Sequence, residues 1–124
     1  MQSINRDMQC LEADITTIWG SFDCGLTGNT SGLEGNGVTS VSGDATGGFL
    51  ITLDKKWNKF FSFTPCFVGT VFSGVDVVQV DAEDVDVAKT VLIQCYDITG
   101  GDVAPASGCT FNFEIRVRES GQTF

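Results

Sequence analysis

The chain has 124 residues, 42% of them hydrophobic and 19% charged, enough to bury the core of one domain and too few to build a second. Its formal net charge of −9 and pI near 4.1 repel nucleic-acid phosphates and anionic headgroups, which argues against nucleic acid and membrane surfaces as partners. No stretch approaches the ~20 continuous apolar residues that span a bilayer, and the N-terminal MQSINRDMQC lacks the apolar core of a signal peptide, which points to synthesis in a cytoplasm.

The first ten residues, Met1–Cys10, are too polar to pack alone and read either as an extended arm that pairs with a neighbour's edge strand or as disorder. Over Leu11–Phe22 the residues Met8, Leu11, Ile15, Ile18 and Phe22 keep a helical spacing. The β-branched run Ile15-Thr16-Thr17-Ile18 before Trp19 outweighs it and predicts a long first strand. Asp23–Asn36, DCGLTGNTSGLEGN, is polar and glycine-rich and predicts a loop that crosses one end of a sheet or contacts a neighbour.

Gly37–Leu53 reads as a β-hairpin. Val38–Val41 and Phe49–Leu53 flank the tip SGDATGG, whose glycines provide the positive-φ positions that a tight loop needs. A single helical turn or broad loop is expected at Asp54–Lys59, and an extended run follows at Phe60–Thr64, which Pro65 either ends or places at a sheet edge. Cys66–Phe72, Val75–Asp81 and Thr90–Tyr96 are valine- and isoleucine-rich runs of strand length. Asp97–Gly108 is a loop. Thr110–Arg118, TFNFEIRVR, alternates most clearly, with Phe111, Phe113, Ile115 and Val117 on one face and Asn112, Glu114, Arg116 and Arg118 on the other. So many strands without a substantial helix predict an all-β fold, an antiparallel two-sheet β-sandwich of jelly-roll-like form, as one domain over residues 1–124.

Candidate chemistry is sparse. The chain has no histidine, so no imidazole is present to activate a nucleophile, and its five cysteines include no close pair of the metal-ligand kind. Cys10, Cys24, Cys66, Cys95 and Cys109 are odd in number and read as free thiols, most of them small buried hydrophobes. Asp81–Asp86, DAEDVD, places four carboxylates within six residues but lacks the glycine and distal glutamate of an EF-hand loop, and reads as a solvated turn. No catalytic residue, metal or cofactor is expected. The segment Lys55, Lys56, Trp57, Lys59, Phe60 and Phe61 gathers three of the seven basic residues beside three aromatics. It reads as an interface patch of aromatic anchors flanked by charge, or as core aromatics between solvated lysines.

The segments RDMQCLEADITTIWGSF (Arg6–Phe22), GNGVTSVSGDATGGFLITLDKKWNKFFSF and the terminal TFNFEIRVR, taken in order, resemble small virion proteins of tailed bacteriophages, the capsid decoration or cement proteins. GVTSV…FLITL is also similar to segments of phage tail fibres. The resemblance implies a β-sandwich that forms a homo-dimer or homo-trimer on the outer face of the phage major capsid protein lattice. It implies a virion protein made in the host cytoplasm that stabilises the shell without catalysis. An adhesion module binding a host receptor or glycan is the alternative, and an enzyme ranks below both. The two long loops, Asp23–Asn36 and Asp97–Gly108, contain no aromatic residue, which favours the cement reading over the adhesive one.

Overall fold

A computed structural model describes residues 15–119. Eight strands follow one another: β1 (Ile15–Cys24), β2 (Thr30–Asn36), β3 (Val38–Gly43), β4 (Gly48–Leu53), β5 (Lys59–Val68), β6 (Val77–Asp84), β7 (Thr90–Tyr96) and β8 (Thr110–Arg118). A single 3-10 turn at Leu26–Gly28 is the other regular element. The strands form two four-stranded sheets, ordered β2-β1-β8-β5 and β3-β4-β7-β6, with every pairing antiparallel. The first and last strands lie side by side in the interior of one sheet. The anticipated two-sheet architecture is thus present.

The core comes from the two central strands of each sheet, where alternation sends every second side chain inward. Ile18, Phe22 and Cys24 of β1 and Phe111, Phe113, Ile115 and Val117 of β8 face Phe49, Ile51 and Leu53 of β4 and Val91, Ile93 and Cys95 of β7. Phenylalanine dominates one end of this layer. The Phe111 ring lies 4.6 Å from that of Phe67, 5.2 Å from Phe22, 5.8 Å from Phe49 and 6.1 Å from Phe113, stacked on Phe22 and edge-on to the others. Such pairs add to simple burial because ring edges and faces carry opposite partial charge. Gly20 is part of this packing: it pairs with Phe113 across the ladder, and a Cβ there would collide with the Phe113 ring.

Several elements differ from the sequence expectation. Asp23–Asn36 is not a loop throughout, because Thr30–Asn36 forms strand β2 at a sheet edge. Its residues TSGLEGN bury almost nothing, so main-chain bonds to β1 hold it in place of side-chain packing and no alternation marks it. Of the two expectations for Pro65, the edge position is the one observed: β5 runs through it to Val68 at the edge of its sheet. An edge strand leaves alternate N–H groups unpaired, so a residue without one is accommodated. Val71 and Phe72, expected in a strand, stand instead in the connection that follows, and β6 begins two residues later than expected and runs on to Asp84. Asp54–Asn58 is a loop without a helical turn. Strands β7 and β8 have the expected bounds. Leu11–Asp14 and the arm Met1–Cys10 lie outside the described residues.

The connections sort cleanly between the two ends of the sandwich. At one end meet the links β1–β2, β3–β4, β5–β6 and β7–β8. Their main chains bond to one another from Cys24 N to Cys109 O (2.8 Å) and from Ala106 N to Ser73 O (2.9 Å), and Cys95 N reaches Gly47 O (3.0 Å). Gly28 packs on the Asp44 carbonyl and Gly47 on that of Val103 so closely that no Cβ fits at either place. At the opposite end, Asp54 N bonds Gly37 O (2.9 Å), Trp57 N bonds Val85 O (2.8 Å) and Asn58 N bonds Arg118 O (2.8 Å).

Replacing Phe111 by alanine removes the hub of the aromatic layer, and urea unfolding is expected to show a loss of about 3–5 kcal/mol. Leu50→Ala, on the outer face of the other sheet, is expected to cost less than about 1 kcal/mol.

Candidate functional site

The segment Lys55–Phe61 divides between core and surface. Trp57 is only 7% exposed and closes the core beneath the Asp54–Asn58 loop, and Phe60 packs half-buried against the same core. The indole N–H of Trp57 finds no hydrogen-bond partner among the described residues. Lys55 covers the indole from outside, its Nζ 4.3 Å from the ring centroid and 2.7 Å from a Glu119 carboxylate oxygen. Phe61 alone of the three aromatics points out, between Lys59 Nζ at 5.8 Å and the Arg118 guanidinium at 5.9 Å. Exposed cation–ring contacts of this kind stabilise by about 0.5–1 kcal/mol each. Lys56 is solvated. The six residues therefore form a cationic rim around one exposed ring, with Trp57 and Phe60 turned inward to the core.

A more apolar surface stands at the other end. Leu26 on the 3-10 turn is 73% exposed, Phe72 in the β5–β6 connection 79%, and Ile98 in the β7–β8 connection 86%, with Val71 beside Phe72 also exposed. Large apolar side chains held this far into water are a recognised mark of an interaction surface when they share one face of a molecule. Phe72 escaped the sequence reading because GTVFSG continues an apolar run. The glycines Gly69 and Gly74 that bracket it, both at positive φ, were the available signal for a tip.

Two copies of one turn frame this end. Asp44-Ala45-Thr46-Gly47-Gly48 and Asp97-Ile98-Thr99-Gly100-Gly101 share the pattern Asp-x-Thr-Gly-Gly, a repeat that is easily overlooked at five residues. In the first, Asp44 Oδ1 accepts from the Thr46 hydroxyl (2.7 Å), Thr46 N–H (2.9 Å) and Gly48 N–H (2.9 Å). In the second, Asp97 Oδ1 accepts from the Thr99 hydroxyl (2.6 Å), Thr99 N–H (2.9 Å) and Gly101 N–H (3.0 Å). The fourth residue is a glycine at φ +90° in one and +85° in the other, a conformation that a side chain would strain. Both carboxyls are held below the ordinary aspartate range, chiefly by the threonine hydroxyl and then by the glycine N–H. The second turn carries Ile98, so the carboxylate fixes the base of an exposed apolar tip.

Among the cysteines, Cys24, Cys95 and Cys109 are buried and Cys66 is exposed on the outer face of β5; all four are free thiols. Burial pushes the Cys24 thiol up to about 11, with Cys109 and Asp23 nearby adding to the shift, and the Cys95 thiol up to about 12. Three of the four described cysteines are thus buried, as expected of most of them, and Cys10 lies outside the described residues. In the acidic run, Asp81 accepts from the Tyr96 hydroxyl (3.3 Å) and Glu83 from Val85 N–H (3.3 Å), while Val85 turns into the core. Among the described residues no three Cys, Asp or Glu side chains are gathered so as to hold a metal ion.

Since a thiolate is the species that alkylates, iodoacetamide at pH 8 is expected to modify Cys66 in the folded protein and Cys24, Cys95 and Cys109 only after denaturant is added, as read by peptide mass mapping. The two aspartates predict a pH dependence of definite sign. Their lowered carboxyls contribute stability that is present above the ordinary aspartate pKa of about 4 and is lost as the pH falls through the folded-state values. The Asp44→Ala/Asp97→Ala variant is expected to melt below the parent at pH 7, with the gap narrowing as the pH falls below about 4. Compared with protein-family models, curated protein sequences and solved structures, the chain matches none.

Proposed function

We propose that this chain is a non-enzymatic virion structural protein that binds the outer surface of a phage capsid and stabilises the shell, acting as a homo-dimer or homo-trimer. The observation that carries the reading is the loop end of the sandwich, where a braced body lifts Leu26, Val71, Phe72 and Ile98 into water. A cement protein requires such a body and an adhesive end, and requires no reaction. The resemblance of the N-terminal segment, the Gly37–Leu53 hairpin and the final strand to phage decoration proteins supports the major capsid protein as the proposed partner. The energetics suit repeated attachment: each copy contributes a modest interface, and many copies bridging neighbouring subunits act multivalently.

Phe72 favours a second reading, a tail-fibre or receptor-binding adhesion module. An exposed aromatic among the end loops is what an adhesive tip would carry, and the argument from aromatic-free loops loses force once Phe72 joins them.

Phe72→Ser combined with Ile98→Ser tests attachment, because both side chains are exposed and the core is untouched; Trp57 and Phe60 belong to the monomer's core and would report on folding instead. The double variant is expected to sediment with purified phage shells at least tenfold less than the parent, and shells carrying the parent are expected to rupture at higher temperature than bare ones. Equal rupture with and without the protein defeats the cement reading. Immunogold labelling of tail tips in place of heads establishes the adhesive one.

A further inference from the structure

The outer face of the β2-β1-β8-β5 sheet holds a groove of about 580 Å³, within the size range of ligand sites. The register builds its floor in two rows. Trp19, Glu114 and Thr64 stand opposite one another on successive strands in the first row, and Glu34, Ser21, Asn112 and Cys66 in the second. The row between them, Gly35, Gly20, Phe113 and Pro65, faces the other way, and its two glycines leave the β2–β1 side of the floor without bulk.

Trp19 is 46% exposed and presents its indole to this groove, flanked by Glu114 directly across the ladder and Glu34 one row away. Neither carboxylate has an ion-pair or hydrogen-bond partner among the described residues. The nearest cation along the sheet is Arg116, opposite Thr17 in the adjoining row and outside the groove lining. Lys55, Lys59 and Arg118 are engaged at the far end with Trp57, Glu119 and Phe61. Counting Arg116, the groove still carries an excess negative charge around an open aromatic face.

The geometry points to a site for a basic peptide segment, with an arginine or lysine side chain laid on the Trp19 ring and its charge facing Glu114 and Glu34. Trp is the strongest of the aromatic platforms for a cation, and a guanidinium stacks on it while donating to carboxylates. The Asn112 amide and the Ser21 and Thr64 hydroxyls line the same groove and offer hydrogen bonds to the peptide main chain. An anion would meet the excess negative charge of Glu34 and Glu114. A small solitary cation would leave most of the groove empty. The lining includes residues of all four strands, so the trough crosses the full width of the sheet, about 14 Å at the usual strand spacing, the reach of four or five extended residues. A chain segment passing through fits that shape. The inference does not rest on the capsid reading, since the groove lies on a sheet face and the apolar tips on an end.

The full chain would be titrated with acetyl-Arg-Gly-Arg-amide, acetyl-Glu-Gly-Glu-amide, tetramethylammonium and methyl glucoside, following the Trp19 indole and Asn112 side-chain amide resonances by NMR. The arginine peptide is expected to shift both, with the Kd rising at least tenfold in Trp19→Ala and in Glu34→Gln/Glu114→Gln and rising again when salt is added. All three positions are on the outer face, and unchanged urea midpoints for the variants exclude unfolding as the cause. No shift with the arginine peptide, an equal response to the glutamate peptide, or an unchanged Kd in the Glu34→Gln/Glu114→Gln variant would each overturn the proposal. Tetramethylammonium binding as tightly as the peptide would replace it with a small-cation site, and binding of methyl glucoside alone with a saccharide site.

Discussion

The arrangement of this molecule depends on the packing of Phe111 against rings from three other strands. Phe22 stacks on it from β1 at 5.2 Å, Phe67 meets it edge-on from β5 at 4.6 Å, and Phe49 reaches it across the gap between the sheets at 5.8 Å. Because one inward ring contacts both sheets, their spacing and relative slide are set together. A one-residue slip of β8 in its pairing would turn Phe111 and Phe113 to water and Asn112 and Glu114 to the core. The layer also dictates where bulk is forbidden. Gly20 has no side chain because the Phe113 ring occupies that volume, and the residues on either side of it in β1, Trp19 and Ser21, are thereby left facing outward.

The polar chemistry of the chain is correspondingly peripheral. No polar or charged residue is buried among the described residues, and the Asp44 and Asp97 carboxylates make their hydrogen bonds within the connections. The paired Asp-x-Thr-Gly-Gly turns illustrate the economy of this arrangement. One carboxylate oxygen satisfies three donors in each, so a five-residue connection gains a defined shape without a hydrophobic core of its own. The glycine contacts Gly28–Asp44 and Gly47–Val103 then lock neighbouring loops to one another by close main-chain approach. Loops braced in this way present Leu26, Phe72 and Ile98 from fixed bases.

What could be read from the sequence was whatever depends on alternation. Strand β8, with Phe, Phe, Ile and Val inward at every second position, has the bounds that its pattern implies, and β7 and the β3–β4 hairpin follow for the same reason. Strand β2 was hidden because TSGLEGN is placed by its pairing with β1, whose partner residues lie upstream in the chain, and its own side chains bury little. Trp57 was ambiguous beside three lysines because burial there is decided by Val85 and the β6–β7 turn, far along the chain. The groove was illegible for a related reason. Its residues are spaced two apart along four separate strands, and only the register brings Glu34, Trp19 and Glu114 onto one face.

The separation of the two ends has a practical corollary for engineering. Ile15 pairs with Arg118, and Lys55 bonds Glu119, so the described chain enters and leaves at the end opposite Leu26, Phe72 and Ile98. A polypeptide fused ahead of Ile15 or behind Glu119 would emerge on the far side of the sandwich from those tips, leaving them unobstructed. The fold is thus polarised as a scaffold: cargo, fluorophore or surface tether belongs at Ile15 or Glu119, and sequence diversification for new specificities belongs in the β5–β6 and β7–β8 connections.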